Sequence, residues 1–355
     1  MPGTAMIVGM QLFSALGLST PEVTAAVRGR SARFTETGVR DARFAGVVAA
    51  VVPEQALPPV PEALGNPPLP TARELRLLRL ASTPLTKAVG QLQSAGLRPA
   101  IFLALPDTAA GRPIDDKRIM NALLEPLGAR VASRGHAATF RGRAGGISAL
   151  GSAIAAVESG AVPAAIAGGV DTLFDLAVLA GLASARRLKT ASNSDGLIPG
   201  EAAAFIAIVR DDAASASGLP TLARVGPVAL GEEPGHLGSP EPYRGEGLAA
   251  AIRALLTAAA LPEPVRAVYC TMNGESHWGK EWGVAYLRNR DAFDADHGIH
   301  HPADSHGDIG AASAAMLLAL AADGLARGYR TGPVMVYASS DTAARGVTLV
   351  TAAST

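Results

Sequence analysis

Residues 142–172 read GRAGGISALGSAIAAVESGAVPAAIAGGVDT, which combines a helix of small residues, a short apolar strand and a glycine turn. The larger apolar residues of the helical part recur at a spacing of three or four and share one face: Ile147, Leu150, Ile154 and Val157. Ala, Gly and Ser fill the other faces. A helix without a strongly polar face is typical of a protein interior. The stretch therefore predicts a helix buried on all sides that leads directly into a buried strand.

A related pattern occurs near the end of the chain. A second helix of small residues, 308–328, places its larger residues on one stripe and is followed by the strand GPVMVYASSDT: Ile309, Ala312, Met316 and Leu320. The strand endings AGGVDT and YASSDT occupy comparable positions in the two copies. We interpret them as two related halves, residues 1–190 and 191–355, with a seam near 185–200. A chance similarity between two alanine-rich helices is the alternative.

The rest of the chain alternates between strand-like and helix-like runs. The predicted strands are 5–13, 44–52, 100–106, 202–210, 265–272, 333–340 and 346–352. The predicted helices are 21–29, 72–96 with a break near Pro84, 115–130 and 245–261, and 53–70 is a proline-rich surface excursion. This alternation predicts an α/β protein in which mixed sheets lie between layers of helices.

Composition excludes several classes of function. The 355 residues are 48% hydrophobic and 17% charged with a net charge of +0, so we expect a tightly packed protein without a basic face for nucleic acid. Its one cysteine cannot form a disulfide within the chain, which favours the cytoplasm. The apolar start lacks a preceding basic residue and is read as a buried strand. Aspartates and paired glycines interrupt 161–185, so no membrane span is expected.

The turn SDGLIPGEAAA, residues 194–204, completes a set of motifs with the first stretch. Together they resemble the β-ketoacyl synthases of the thiolase superfamily. In that family a helix led by cysteine precedes a strand ending in AGG, and an RDGFxxGEGA turn follows. The resemblance covers most of the chain and implies a thiolase-like fold with duplicated halves in a five-layer αβαβα arrangement. It also implies dimerisation through the strand before the helix, here HAATFRG, 136–142.

The catalytic positions of that family are occupied by other residues in this sequence. The family's nucleophile is a cysteine at a buried helix N-terminus, where the helix dipole stabilises the thiolate, and the corresponding residue is Arg143. The first histidine motif, HGT, corresponds to Asn273 and the two residues after it. The second, GHxxGAA, corresponds to 306–312, with Gly307 at the histidine position and His306 displaced by one.

The fourth position departs from the family as well. The GFGG loop, which helps to form the oxyanion hole, corresponds to SDTA and begins with Ser340 and Asp341. Departures at all four positions predict that decarboxylative condensation is absent.

Arg143 is the most informative of these departures. A cation at a helix N-terminus is unfavourable by roughly 0.3–1 kcal/mol, so a compensating partner is expected. With the neighbouring backbone N–H groups, Arg143 could bind a carboxylate or phosphate. Alternatively, it forms an internal salt bridge that plugs the pocket, for which the candidate partners are Glu275, Glu281 and Asp304.

Two residues are weak candidates for a relocated catalytic group. Cys270 lies three residues before Asn273, at the end of an apolar strand, where a cysteine is more often inert and buried. His306 is the second. It belongs to a segment rich in histidine and aspartate, 294–308, whose spacing matches no regular metal motif. We therefore expect neither a metal ion nor a cofactor.

Three functional hypotheses follow. The first is a catalytically degenerate β-ketoacyl-ACP synthase-like protein, more a pseudoenzyme than an enzyme. It would be a structural or acyl- or anion-binding subunit of fatty acid or polyketide biosynthesis. Its partner would be a second copy or an active ketosynthase, with acyl carrier protein as a further candidate. The second is an acyltransferase or thioester-handling enzyme that uses other residues. The third is a scaffold or adaptor in an unrelated assembly, such as a secretion system.

Overall fold

The computed structural model describes residues 4–40, 44–59, 69–107, 111, 113–132 and 137–353. Strands and helices alternate through these ranges, as the sequence predicts. The strands are β1 (Ala5–Ser14), β2 (Thr35–Arg40), β3 (Gly46–Ala49), β4 (Pro99–Leu105), β5 (Ala137–Arg141), β6 (Ala164–Thr172), β7 (Glu201–Arg210), β8 (Ala223–Glu232), β9 (Val265–Cys270), β10 (Phe293–His300), β11 (Val334–Ser339) and β12 (Ala344–Thr351).

Helices separate most of these strands. They are α1 (Thr20–Arg28), α2 (Ala72–Ser94), α3 (Asp116–Leu124), α4 (Gly142–Glu158), α5 (Leu176–Ser184), α6 (Asp211–Ser217), α7 (Glu246–Ala259), α8 (Ser276–Asn289), α9 (Ala303–His306) and α10 (Ser313–Ala326). Short 3₁₀ turns cover Glu54–Ala56, Glu125–Arg130, Arg290–Ala292 and Gly310–Ala312.

Ten strands form one sheet, which consists of two sets of five strands with the same arrangement when each is read from its outer edge inward. The order is β10-β9-β11-β12-β8-β1-β7-β6-β4-β5, and β2 pairs separately with β3. In each set of five, the three strands nearest the outer edge run parallel to one another. The fourth strand is antiparallel to the third, and the fifth is antiparallel to the fourth. Within the described part of the sheet, a short β1–β8 pairing joins the two sets. The strand topology is thus duplicated. The boundary between residues 190 and 191 stays a prediction. Strand β7 follows that boundary in the chain but still belongs to the same set of strands as β4, β5 and β6.

The three largest apolar cores lie within a stack of five layers. The central core lies between the two halves of the sheet and contains α4 and α10, with Ile147 and Met316 fully buried. A second core packs α2 and α3 against β1, β4, β6 and β7. The third packs α7 and α8 against β9, β11 and β12. The layers therefore follow the order αβαβα.

Small residues allow the two central helices to approach each other closely. A Cβ atom at Gly146 of α4 would lie 2.6 Å from the Cβ of Ala314 in α10. A Cβ at Gly169 of β6 would lie 2.1 Å from the carbonyl oxygen of Ala311. Both distances are shorter than real contacts of this kind, so glycine is required at these positions. The small-residue composition seen in the sequence is the physical basis of this packing.

Several predicted boundaries differ from the structure. The break expected near Pro84 is wrong: α2 runs through it, because its buried apolar face on both sides outweighs the roughly 3 kcal/mol cost of an interior proline. The helix expected over 308–328 begins at Ser313, since positive φ angles at Gly307 and Gly310 form a turn before it. Strands β2, β8 and β10 were not predicted from the sequence. Residues 60–68 of the proline-rich stretch, and residue 136, lie outside the described residues.

Candidate functional site at the start of helix α4

The site is built around the first turn of α4. This helix begins at Gly142, which has a φ of +67° and follows β5 directly. Its N-cap residue, Arg141, supplies no side-chain hydrogen bond to the first turn of the helix. Instead, the backbone N–H of Ala144 donates to Oγ of Ser340 at 3.0 Å, so the turn between β11 and β12 caps the helix. The side chain of the second helical residue, Arg143, is 7% exposed.

Arg143 is held by two carboxylates and an indole ring. Its Nε donates to Oδ1 of Asp308 at 3.1 Å, its Nη2 donates to Oδ2 of the same carboxylate, and its Nη1 donates to Oδ1 of Asp341 at 2.7 Å. Its Cζ lies 5.8 Å from the ring centroid of Trp278. Burial disfavours the charged form, but the two carboxylates outweigh it and raise the pKa of Arg143 well above its ordinary value. The guanidinium is therefore a permanent cation.

A second arginine, Arg187, extends this ion-pair network. Its Nε and Nη2 donate to the two oxygens of Glu275 at 2.7 and 2.8 Å. Its Nη1 donates to Oδ2 of Asp341 at 2.7 Å. The carboxylate of Asp341 thus lies between Arg143 and Arg187. Burial alone would raise the pKa of Asp341, but the two guanidinium groups hold it well below its ordinary value.

Asn273 joins the two remaining carboxylates. Its Nδ2 donates to Oδ2 of Asp308 at 2.7 Å and to Oε2 of Glu275 at 3.0 Å. Oδ1 of Asp308 also accepts the backbone N–H of Gly310 at 3.0 Å. An amide donates hydrogen bonds without exchanging protons. Six side chains therefore form one network of two cations, three carboxylates and the bridging amide of Asn273, with a net charge of −1.

A cavity of about 550 Å³ opens in front of this network. Its apolar wall consists of Leu173, Val178, Leu182, Leu197 and Leu237. Its polar wall contains both network arginines, three aspartates, a third arginine and two hydroxyls: Arg143, Arg187, Asp107, Asp171, Asp341, Arg73, Ser340 and Thr342. The third arginine pairs with Asp171 at 3.2 Å. The cavity volume falls within the roughly 300–1,000 Å³ of small-molecule sites.

Comparison with solved structures shows what this architecture is. The ishigamide ketosynthase/chain length factor is 17% identical, with all of both chains covered and a TM-score of 0.81. The oxazolomycin ketosynthase domain of Streptomyces albus JA3453 is 14% identical, covering 99% of this chain and 75% of that one, with a TM-score of 0.79. The chain has the thiolase-like ketosynthase fold. The predicted fold class is confirmed.

A third similar structure is the complex AntDE:AntF, a type II PKS acyl-carrier protein with its ketosynthase bound to the hexaketide. It is 15% identical, with all of both chains covered and a TM-score of 0.74. No protein-family model and no curated protein matches the sequence. At these identities the comparisons establish the fold, and the site must be interpreted from its own residues.

The ion pair expected for Arg143 exists, but the predicted partners are wrong. Its carboxylates are Asp308 and Asp341, neither of which was a predicted partner. Glu275 belongs to the network through Arg187, and not through Arg143. These partners come from segments far apart in the chain, so no local pattern could identify them.

Two other predicted partners lie elsewhere. Glu281 pairs with Arg345, whose Nε donates to Oε1 at 2.6 Å in a fully buried position. The Asp304 side chain is 64% exposed, with Oδ2 3.8 Å from Nδ1 of His301. Arg345 also donates to the carbonyl oxygens of Ser340, Thr342 and Ala344. It thereby fixes the turn that carries Asp341.

Sequence reasoning missed Asp308 by one residue. Gly307 was assigned to the second histidine position of the ketosynthase motif, but it is a turn glycine with a φ of +70°. In the structure the next residue, Asp308, contacts both Arg143 and Asn273 and so belongs to the network, although it was not a predicted site residue.

Cys270 and His306 lie on a different cavity. Both line a space of about 10 Å³, roughly that of one water molecule, which is separate from the large cavity. Burial raises the pKa of Cys270 to about 12, which leaves the thiol protonated and weakly nucleophilic. The His306 side chain is buried, with Nδ1 2.7 Å from the carbonyl oxygen of Gly307, and burial lowers its pKa.

The described residues contain neither a cluster suited to a metal ion nor a candidate membrane span. In those ranges no group of three or more His, Cys, Asp or Glu side chains is arranged to hold a metal ion. Nor does this part of the chain contain a helix with the length and apolar character needed to cross a membrane.

Proposed function

We propose that this chain is a non-catalytic ketosynthase-like subunit that assembles with an active ketosynthase and has a structural or ligand-binding role there. The observation that carries the proposal is Arg143. It stands at the buried start of α4, where the resemblance places the nucleophile, and Asp308 and Asp341 hold it in place. A guanidinium stays protonated and cannot attack a thioester.

The surrounding groups do not replace the missing chemistry. Asn273 cannot transfer a proton, and the Arg143 cation lowers the pKa of Asp308 although burial opposes this. A carboxylate with a lowered pKa is a weak general base near neutral pH. The single cysteine of the chain is protonated and lines another cavity. These features favour a pseudoenzyme over a thioester-handling enzyme with relocated residues.

The similar structures support a ketosynthase or an acyl carrier protein as partner. Their descriptions include a ketosynthase/chain length factor and a complex of an acyl-carrier protein with its ketosynthase. In this chain β5 lies at one edge of the large sheet, and all five of its residues are only partly buried. A sheet edge can pair with a strand of a partner chain. Partner pairing through β5 is therefore part of the proposal.

Acyl loading tests the absence of a nucleophile. We expect no covalent adduct when the wild-type chain is incubated with malonyl or long-chain acyl thioesters and examined by intact-protein mass spectrometry. The double variant Arg143→Cys/Asp308→Asn should acquire one adduct. It should load faster than Arg143→Cys alone, because a nearby carboxylate disfavours the thiolate.

The same variant with Cys270→Ala is the control, and it should keep the adduct. Labelling of the wild-type chain would contradict the pseudoenzyme proposal and favour a thioester-handling enzyme. If the double variant remained unlabelled, the cavity would not admit a thioester, and the acyl-binding role would be withdrawn.

Association through β5 is tested by comparing the two edges of the sheet. We expect a 1:1 complex when the chain is mixed with a ketosynthase encoded in the same gene neighbourhood and analysed by sedimentation velocity. Ala138→Glu in β5 should abolish the complex, because the charged side chain would be placed in the paired edge. The matched change Ile299→Glu in β10, at the opposite edge, should leave it intact. Equal effects of the two changes, or no complex with wild-type protein, would refute this pairing and leave the scaffold hypothesis.

A further inference from the structure

We infer that Arg143 and Arg187 form a binding site for the carboxylate of an aliphatic monocarboxylic acid, whose hydrocarbon chain would lie in the large cavity. In the structure Asp341 occupies this carboxylate site. The inference is independent of the partner proposed above, since it concerns the isolated chain and a small ligand.

The geometry around Asp341 is that of a bound carboxylate. Nη1 of Arg143 reaches its Oδ1 at 2.7 Å. Nη1 of Arg187 reaches its Oδ2 at 2.7 Å, and Nη2 of Arg187 reaches Oδ1 at 3.2 Å. Two guanidinium groups that converge on both oxygens of a carboxylate give the strongest class of charge-assisted hydrogen bonds.

Asp341 is the exchangeable carboxylate of the network. The Asp308 side chain is 2% exposed and is held by Arg143, Asn273 and the Gly310 backbone. The Asp341 side chain is 27% exposed and accepts hydrogen bonds from the two arginines. It also lines the cavity and lies on the turn between β11 and β12. An outward movement of this one side chain would expose both guanidinium groups to a ligand.

The apolar wall of the cavity indicates the chemistry of the ligand beyond its carboxylate. The leucine and valine wall faces the polar wall that contains the two arginines. Apolar surface removed from water contributes about 25 cal/mol per Å², so a hydrocarbon chain is favoured there. A ligand with one carboxylate and an aliphatic chain satisfies both walls.

Charge requires that the ligand replace Asp341. The network already holds three carboxylates against two guanidinium groups, so a fourth carboxylate would bring an unbalanced charge into a buried site. A ligand carboxylate in place of Asp341 keeps the net charge unchanged. The wild-type chain should therefore bind a monocarboxylate weakly, and removal of the Asp341 carboxylate should strengthen binding.

Octanoate binding, measured by isothermal titration calorimetry on the isolated chain, tests the inference. Asp341→Asn should bind octanoate about tenfold more tightly than the wild-type chain, or better, because a carboxylate ligand gains charge-assisted hydrogen bonds. Asp341→Ser is a second variant. The amide of Asp341→Asn could remain hydrogen-bonded to the arginines, whereas the shorter serine side chain leaves the carboxylate position open. Thermal unfolding would establish that both variants are folded.

Matched controls separate a specific site from general electrostatics. Asp107→Asn removes an equal charge from the same cavity wall and should give no comparable gain. Octanol, which lacks the carboxylate, should bind the wild-type chain and the Asp341 variants equally. Arg187→Gln combined with Asp341→Asn should lose the gain. The inference is overturned if neither folded Asp341 variant binds octanoate more tightly, or if Asp107→Asn produces the same gain.

Discussion

Replacing Arg143 with methionine is expected to lower the free energy of unfolding by about 3–5 kcal/mol at neutral pH, the cost typical of breaking a buried ion pair from one side. Methionine keeps much of the side-chain volume, so the loss comes from charge more than from packing. It leaves the buried carboxylate of Asp308 without its cation. Chemical denaturation of the two proteins would measure the difference.

The loss of unfolding free energy in Arg143→Met should become smaller as the pH falls. In the wild-type fold, the cation lowers the pKa of Asp308 below its ordinary value of 3.8 although burial opposes this. The ion pair therefore stabilises the fold above that value, and this contribution is lost as pH falls through the lowered pKa. In Arg143→Met the cation is gone, so burial raises the pKa of the Asp308 carboxyl. Its protonation at lower pH removes the unpaired buried charge and restores stability. The two stability curves should converge as the pH falls from neutral toward the lowered pKa of the wild-type carboxyl.

Two control variants identify the cause of the loss. Arg143→Met/Asp308→Asn should regain more than half of the lost stability, because the neutral side chain can still accept from Gly310 and needs no cation. Arg40→Met removes an arginine from an exposed pair with Glu36 and should cost less than about 1 kcal/mol. A deficit that stays constant with pH would show that lost packing, not the unpaired carboxylate, is responsible.

Replacing Glu281 with leucine is expected to have a comparable effect, again about 3–5 kcal/mol. The side chains of Glu281 and Arg345 are 1% and 0% exposed, so the variant leaves a fully buried guanidinium without its carboxylate. Arg345 also holds the turn that carries Asp341. Denaturation would measure the loss, and hydrogen exchange at residues 340–344 would show whether the turn opens.

The double variant Glu281→Leu/Arg345→Met is the matched control. It should recover part of the stability, since the unpaired cation is gone, but not all of it. The carbonyl oxygens of Ser340, Thr342 and Ala344 lose their donor. A loss below about 1 kcal/mol in the single variant would mean that the guanidinium finds water or another acceptor.

The fold could be predicted because its decisive features are local. Small residues recur along α4 and again along α10, and each helix precedes a buried strand. This pattern indicates the duplication, whereas the αβαβα order of the layers was implied by the resemblance to the ketosynthases. Strand β10 was missed because it lies at a sheet edge and reads DADHGIH after Phe293, without an apolar alternation.

The site could be predicted only in part, for a different reason. The unusual residue, Arg143, is visible in the sequence, but its partners are 165 and 198 positions away. Side chains that meet across such separations leave no periodic signal. Arg187 lies in the irregular segment between α5 and β7 and carries no motif of its own. The chemistry of the site therefore depends on tertiary packing that only the structure provides.

The duplicated sheet leaves this molecule with two free edges of different character. A chain whose two sheet edges both pair with strands of other chains can add a neighbour at each edge and polymerise into a fibre. Here β5 has one charged residue, Arg141, beside Ala137, Ala138, Thr139 and Phe140, whereas β10 carries Asp294, Asp296, His297 and His300. Charged residues on an edge strand discourage further strand addition. We therefore expect assembly through β5 to stop at a closed pair, so that unequal edges protect the protein from polymerisation.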